Sequence, residues 1–316
     1  MTIDKLYVDV LRTDRLRFFD GAPVRAASAI ARLGDGWLVT QDDANHSAWH
    51  RPGQGITRIR LFAPTEGLDY FADADGTKHL KPDIEVACPV RTGAGSPATL
   101  LLGSGSSPRR MRGAIVSAPY GSLDPAVVSA DLTPLYRRFA QVLGIDPAAL
   151  NIEGAAVDDG QLFLFNRGIP AAAVPSQSAV IDVESFMDAW QMPQRLNTLA
   201  IAVGSVYNLG SVNGVGLALT DAVAVGPGLF LMSAAAEDTP NAVDDGAVVG
   251  SALVLADSVG VLAVTTLPLV NGVVAKIEGL AVVDETPHHG GLTVLAVVDA
   301  DDTRQPSIQL TLAVRW

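Results

Sequence analysis

The sequence predicts an all-β fold, a five-bladed β-propeller with four-stranded blades, on three observations. One pattern recurs five times along 316 residues. Each copy consists of short apolar runs separated by glycine-rich turns, the mark of strands rather than helices. The chain also ends one strand short of a complete fifth copy and begins with a strand that belongs to no copy, so its two ends can close a ring.

The lone strand comes first, "KLYVDVLR" at 5–12, placed to become the outer strand of the last blade and to cover its edge. The first copy is "SAIARLGDGWLVTQDD" (28–43), and "EVACPV" with "ATLLLGSGS" (85–106) is the second. "EGAAVDDGQLFLFNRG" (153–168), "DAVAVGPGLFLMSAAAED" (221–238) and "EGLAVV" with "LTVLAVVDADD" (278–302) follow. The copies start at Ser28, Glu85, Glu153, Asp221 and Glu278, separated by 57, 68, 68 and 57 residues. Within each, a run of small apolar residues forms an inner strand, a turn such as "GDG", "DDG", "GPG" or "HHGG" reverses the chain, and an LFLF-type strand returns. The third and fourth strands read as "SAVIDV" and "TLAIAV" in copy three, and as "GSALVLAD" and "GVLAVTTL" in copy four. Near-continuous apolar runs suit strands buried on both faces. The whole chain, 1–316, reads as one propeller domain. One helix is expected, over 133–144, with Thr133 as N-cap, Pro134 in the first turn and Gly144 as the stop.

Composition narrows the partners. Hydrophobic residues make up 48% and charged residues 18%, enough apolar surface for a packed core. A net charge of −12 argues against nucleic acid, whose phosphates need a basic footprint. The N-terminal stretch carries Asp4, Lys5, Asp9, Arg12 and Asp14, leaving no apolar core for a signal peptide, and no uncharged run is long enough for a membrane span. The single cysteine, Cys88, excludes an internal disulfide. A cytoplasmic protein that binds neither membrane nor nucleic acid is the expectation.

In a propeller the inner strands line a central channel. The start of each inner strand lies beside the end of its antiparallel neighbour. Ser28, Glu85, Glu153, Asp221 and Glu278 are therefore expected to ring one mouth. Carboxylates held so close raise one another's pKa or call for a cation. A hard, oxygen-liganded ion, calcium first and magnesium second, is expected at these five residues, with Glu153, Glu278 and Asp221 as catalytic candidates.

The ends of the second strands add a further shell on that face. Ser104, Ser106, Arg109, Arg110, Asn166, Arg167, Glu237 and Asp238 are the candidates for holding a small, anionic ligand. "GSGSSPRR" (103–110) combines glycines, hydroxyls and guanidinium groups, as an anion nest does. Asp42, Asp43, Asn45, Asp299, Asp301 and Asp302 share this shell, and Asp244 and Asp245 of the acidic excursion 234–246 are further donors. His46 and His50 are possible general bases, whereas His288 and His289 belong to the opposite face. No nucleophile elbow, zinc-protease motif, P-loop or dinucleotide fingerprint is present.

Taken together, "NIEGAAV", "LFLFNRG", "GSGSSPRR", "AAAEDTPNAVDDG" and "KIEGLAV" resemble an uncharacterised bacterial propeller family, a domain of unknown function, over nearly the whole chain. That resemblance implies a fold and no activity. More distantly, the E-G-x-A blade starts resemble phytase-like esterase propellers, and the Ser/Glu ring resembles that of calcium-dependent apyrases, which hydrolyse nucleotide diphosphates. The apyrase likeness implies calcium ligands at Ser28, Glu85, Glu153 and Glu278, with Asp221 departing from the pattern. Three readings follow: a metal-dependent hydrolase of a phosphate ester or anhydride, a non-catalytic propeller that binds a ligand or protein at the mouth, and a glycosidase-like enzyme with paired carboxylates.

Overall fold

The computed structural model describes residues 5–92, 95–238, 246–283, 291–300 and 302–316, together with Ile3. Five antiparallel sheets follow one another around a ring. Blade 1 is β2 (Ala27–Leu33), β3 (Gly36–Gln41), β4 (His46–Arg51) and β5 (Gly55–Arg60). Blade 2 is β6 (Ile84–Arg91), β7 (Pro97–Gly103), β8 (Arg112–Ser117) and β9 (Ala126–Asp131). Blade 3 is β10 (Ile152–Asp158), β11 (Gln161–Asn166), β12 (Ser176–Asp182) and β13 (Ala202–Tyr207). Blade 4 is β15 (Val215–Gly226), β16 (Leu229–Asp238), β17 (Ala247–Asp257) and β18 (Val261–Thr266), with the short β14 (Ser211–Val212) added beside β15. Blade 5 is β19 (Ile277–Val282), β20 (Gly291–Val298) and β21 (Ile308–Arg315), completed by β1 (Tyr7–Arg15) from the opposite end of the chain.

That last pairing runs from Tyr7 opposite Arg315 to Arg15 opposite Ile308, so the two termini close the ring. The inner strands β2, β6, β10, β15 and β19 touch in cyclic order, β19 returning to β2. The core is divided accordingly into five clusters, one between each pair of adjacent blades. Such division follows from sheets that are apolar on both faces and radiate from one axis.

Close packing at the axis explains the small residues there. A Cβ on Gly154 would lie 2.8 Å from the Ala222 nitrogen, and one on Gly279 would lie 2.6 Å from the Ala29 Cα. The glycine after the carboxylate in "IEG" is therefore where one inner strand passes its neighbour.

Two helices pack over blades 2 and 3. The predicted one is α1 (Thr133–Leu143), ending at a left-handed Gly144. Its first turn is held by Asp131, whose carboxylate accepts from the Thr133 nitrogen at 2.8 Å, and Thr133 is not the cap. The second, α2 (Val183–Gln191), was hidden in the sequence behind the strand-like "SAVIDV". Asp182 ends β12 and caps α2 through the Ser185 nitrogen. Both helices bury aromatic residues, Tyr136, Phe139, Phe186 and Trp190, in the shared core of blades 2 and 3. Among the described residues no helix is long and apolar enough to cross a membrane.

Candidate functional site

Every inner strand slips in register with its partner, near its start in β2, β6, β10 and β19 and midway along β15. The slip spans Ala27–Ile30, Ile84–Val86, Ile152–Gly154, Leu219–Asp221 and Ile277–Gly279. The residue inside each slip is a β-bulge, left unpaired and re-aimed. Glu85, Glu153 and Glu278 occupy it in blades 2, 3 and 5, and Ser28 lies in the wider slip of blade 1. In blade 4 the bulge residue is Thr220, one position before the expected Asp221.

Thr220 and Ser28 behave alike. Ser28 Oγ donates to the Ile84 carbonyl at 2.5 Å and Thr220 Oγ1 to the Ile277 carbonyl at 2.6 Å, each tying its inner strand to the next. Asp221, taken from sequence as a ring, catalytic and metal residue, instead turns sideways. Its carboxylate accepts from the Ala222 nitrogen at 2.7 Å and the Leu280 nitrogen at 2.6 Å, fully buried between β15 and β19. Burial pushes its pKa well up. It occupies the position of Gly154 and Gly279, which faces the neighbouring strand and not the channel.

Where blade 1 meets blade 2, the Asp42, Asp83 and Glu85 carboxylates lie within 4.8 Å of one another. Lys81 bridges Asp42 and Asp83, approaching Asp83 at 2.5 Å. Arg110 reaches Asp83 at 2.9 Å, and Ser104 Oγ donates to it at 2.5 Å. Ser106 Oγ joins Ser104 at 2.8 Å and accepts from Arg110 at 2.9 Å. The anion nest foreseen in "GSGSSPRR" is thus filled by a carboxylate of the chain itself. Burial opposes the charge on Asp83, but Lys81 and Arg110 outweigh it and hold the pKa down. Asp42 is pushed up by burial, and Glu85 well up by burial and then by Asp83 and Asp42. Arg109, expected beside Arg110, points outward, with Glu66 3.9 Å away.

A second network joins blades 3, 4 and 5. Arg167 pairs with Glu153 at 3.0 Å and with Glu237 at 2.6 Å. Lys276 pairs with Glu237 at 3.1 Å and with Glu278 at 3.0 Å. Asn151 Nδ2 donates to Glu153 Oε1 at 2.7 Å, while the buried Glu153 Oε2 has no partner among the described residues. The Asn166 side-chain oxygen accepts from the Asn151 nitrogen at 2.8 Å, bracing the loop beneath. Burial raises the pKa of Glu153. It raises that of Glu278 to about 7 despite Lys276. In Glu237 the same penalty is overcome by Lys276 and Arg167, and its pKa falls to about 2.

Lys81, Asp83, Asn151 and Lys276 are residues that sequence reasoning passed over. The signal was present in "KIEG", because Lys276 and Glu278 are two apart and share one face of an extended chain. Like-charged carboxylates were expected to need a metal, yet the chain supplies Lys81, Arg110, Arg167 and Lys276 in the same place. Other expected participants lie elsewhere or are committed. His46 is packed on Tyr70, whose hydroxyl is 2.8 Å from Nε2, and burial and then Arg58 hold its pKa down to about 4. His50 pairs with Trp37 toward the far end of β4, away from the mouth. Asp43 pairs with Arg25 at 2.7 Å, and Asp299 accepts from the Ala26 nitrogen at 2.9 Å. Asn45 is buried and donates to the Leu68 carbonyl at 3.0 Å. Asp302 pairs with Arg304 at the surface. Cys88 is buried on β6, its thiol pushed up to about 12 by burial. Asp244, Asp245, His288, His289 and Asp301, and the Asp238 side chain, lie outside the described residues.

Residues 23–314 match DUF6929, a family of unknown function. The chain belongs to this family. No curated protein matches it. Among solved structures, the DUF6929 chain is similar to the glutaminyl cyclase of Myxococcus xanthus, at 10% identity and TM-score 0.48, over 98% of this chain and 97% of that one. A putative glycoside hydrolase from Bacteroides ovatus is 13% identical with TM-score 0.47, over 93% and 88%. The α-L-arabinofuranosidase of Podospora anserina is 14% identical with TM-score 0.46, over 96% and 95%. These are likenesses of fold alone.

Proposed function

We propose that the channel mouth is the working site of this DUF6929 protein, binding a small polar ligand and acting on it through the paired carboxyl groups of Glu153 and Glu278. The observation that carries this reading is the split among neighbouring carboxyls. Glu278 is held to about 7 while Glu237, on the same lysine, is held to about 2. Environments that push carboxyl pKa values apart separate an acid from a base. Glu278 keeps a proton near neutrality and is the general acid. Glu153, fixed through Oε1 by Asn151 and Arg167, offers its open Oε2 as the base, with a second lone pair on that oxygen left for a ligand donor. Two carboxyls in these roles suit hydrolysis of a glycosidic bond. Chromogenic aryl glycosides, aryl phosphates and aryl esters form the test panel. Glycoside turnover that falls about 10²–10⁴-fold in Glu278→Gln is expected. A panel in which no glycoside turns over, or in which Glu278→Gln is fully active, overturns the reading.

Hydrolysis of a phosphate ester or anhydride has less support. Arg110 is committed to Asp83 and Arg167 to Glu153 and Glu237, and Arg109 faces outward, so none of the three arginines expected at the mouth is open to grip a phosphate. One observation favours a cation all the same, the Asp42, Asp83 and Glu85 trio. These three would hold calcium, or magnesium second, once Lys81 swings away, and the ion would polarise a ligand oxygen. Calcium is then expected to raise the Tm over that in chelator, more so in Lys81→Met. An unchanged Tm in both proteins removes the cation.

A further inference from the structure

At three of the five steps around the mouth, carboxylates of adjacent blades are joined by cations of the chain itself. Lys81 joins Asp42, just after β3 of blade 1, to Asp83, at the entry to blade 2. Arg167 joins Glu153 of blade 3 to Glu237 of blade 4, and Lys276 joins Glu237 to Glu278 of blade 5. The step from blade 2 to blade 3 has no such bridge among the described residues. Glu85 and Glu153 stand at the same bulge position on the touching inner strands β6 and β10, and no cation among the described residues pairs with both. No described residue makes a hydrogen bond or ion pair with Glu85. Glu153 is only 5% exposed, and its Oε2 is left without a partner.

We infer that the gap between Glu85 and Glu153 is the seat of a ligand's primary ammonium group. The inference deepens the reading of the mouth as a small-molecule site and rests on it. Charge is the first argument. With Glu278 protonated, five carboxylates (Asp42, Asp83, Glu85, Glu153 and Glu237) meet four cations (Lys81, Arg110, Arg167 and Lys276), leaving 4 − 5 = −1 in formal charge. A neutral or anionic ligand leaves that excess in place, whereas a cation offsets it. Geometry is the second. The scaffold already joins carboxylates of successive blades through a cation, twice a lysine ammonium (Lys81 and Lys276) and once the Arg167 guanidinium, and the step from Glu85 to Glu153 has no such cation among the described residues. Acceptor number is the third. An ammonium has three donors, which Glu85 and the open oxygen of Glu153 can largely satisfy. Calcium takes six to eight oxygens, more than these two side chains present. The ligand class is therefore a small polar amine, its ammonium between blades 2 and 3 and its remaining groups toward Glu278.

Calorimetric titration and thermal unfolding with glucosamine against glucose, and ethanolamine against ethylene glycol, test the seat, with calcium chloride as a third arm. Amines are expected to bind and raise the Tm, with each neutral counterpart about tenfold weaker or more. That preference is expected to disappear in Glu85→Gln, a variant on which no described contact of the fold depends. Loss of the preference in Glu153→Gln with an unchanged circular dichroism spectrum supports the second half of the seat. Equal binding of amine and neutral counterpart overturns the ammonium seat while leaving the mouth a ligand site. Calcium binding that Glu85→Gln abolishes, with no response to amines, overturns it in favour of a metal. Silence from every probe also overturns it, whereas the glycosidase reading stands or falls on aryl glycoside turnover.

Discussion

One bulge position serves two purposes around the ring, and the residue type decides which. Blades 1 and 4 carry hydroxyls there, Ser28 and Thr220. Each donates to a backbone carbonyl of the next blade and is backed by a second hydroxyl, Thr40 or Ser233, at 2.9 Å. Blades 2, 3 and 5 carry Glu85, Glu153 and Glu278. None of these carboxyls makes that stitch among the described residues, and Glu153 and Glu278 have drawn Arg167 and Lys276 to them instead. The same backbone device thus fastens the ring in two blades and equips it in three.

The sharpest way to break this comparison is at Arg167, which ties two blades through charge. Arg167→Met leaves Glu153 and Glu237 buried without their shared partner and is expected to cost about 3–5 kcal/mol in urea denaturation. A loss below 1 kcal/mol would mean that water already screens the pair. The hydroxyl blades should respond differently. Thr220→Val leaves the Ile277 carbonyl without its donor, at an expected cost of about 1–3 kcal/mol, and Ser28→Ala does the same to Ile84. Neither variant should alter ligand binding or turnover, since neither hydroxyl belongs to the acidic networks. A change in ligand affinity in Thr220→Val would show that the stitch also shapes the mouth.

Much of this was legible in the sequence. The five copies, the alternation of small and large apolar runs, and the strand left over at the N-terminus specify the ring and its closure, because each follows from local periodicity. The location of the mouth was legible for the same reason. What escaped was whatever depended on neighbours distant in sequence. "GSGSSPRR" looks like an open nest until Asp83, about twenty residues earlier and at a positive φ of 56°, enters it. Asp221 looks like the fourth acid of a ring until the register is counted from the preceding aliphatic residue. Ile84–Glu85, Ile152–Glu153 and Ile277–Glu278 then align with Leu219–Thr220. The helix α2 was masked because its apolar face continues directly from a strand of similar composition.

The two carboxyls on Lys276 make a finer contrast, since one lysine leaves them on opposite sides of the ordinary carboxyl pKa. Glu278 titrates near 7 in the folded protein against an ordinary 4.5, burial outweighing Lys276. Between those values the folded state holds a proton that the unfolded chain has released. The number bound is larger in the native state, so stability falls as pH rises through this window, by about 1.4 kcal/mol per unit at its steepest. Glu237 titrates near 2, because Lys276 and Arg167 overcome its burial. Below 4.5 the unfolded chain takes up a proton that folded Glu237 refuses, so stability is lost as pH falls toward 2. Urea denaturation from pH 3 to pH 8 should therefore show a maximum near the ordinary carboxyl value, about 4.5. Glu278→Gln should make the limb above it shallower, leaving the share of the other raised carboxyls such as Asp43 at about 8, and Glu237→Gln should make the limb below it shallower, leaving the share of lowered groups such as Asp83. If Glu278→Gln leaves the upper limb unchanged, the proton is held by another carboxyl of the mouth, and Glu278 loses its claim to be the acid.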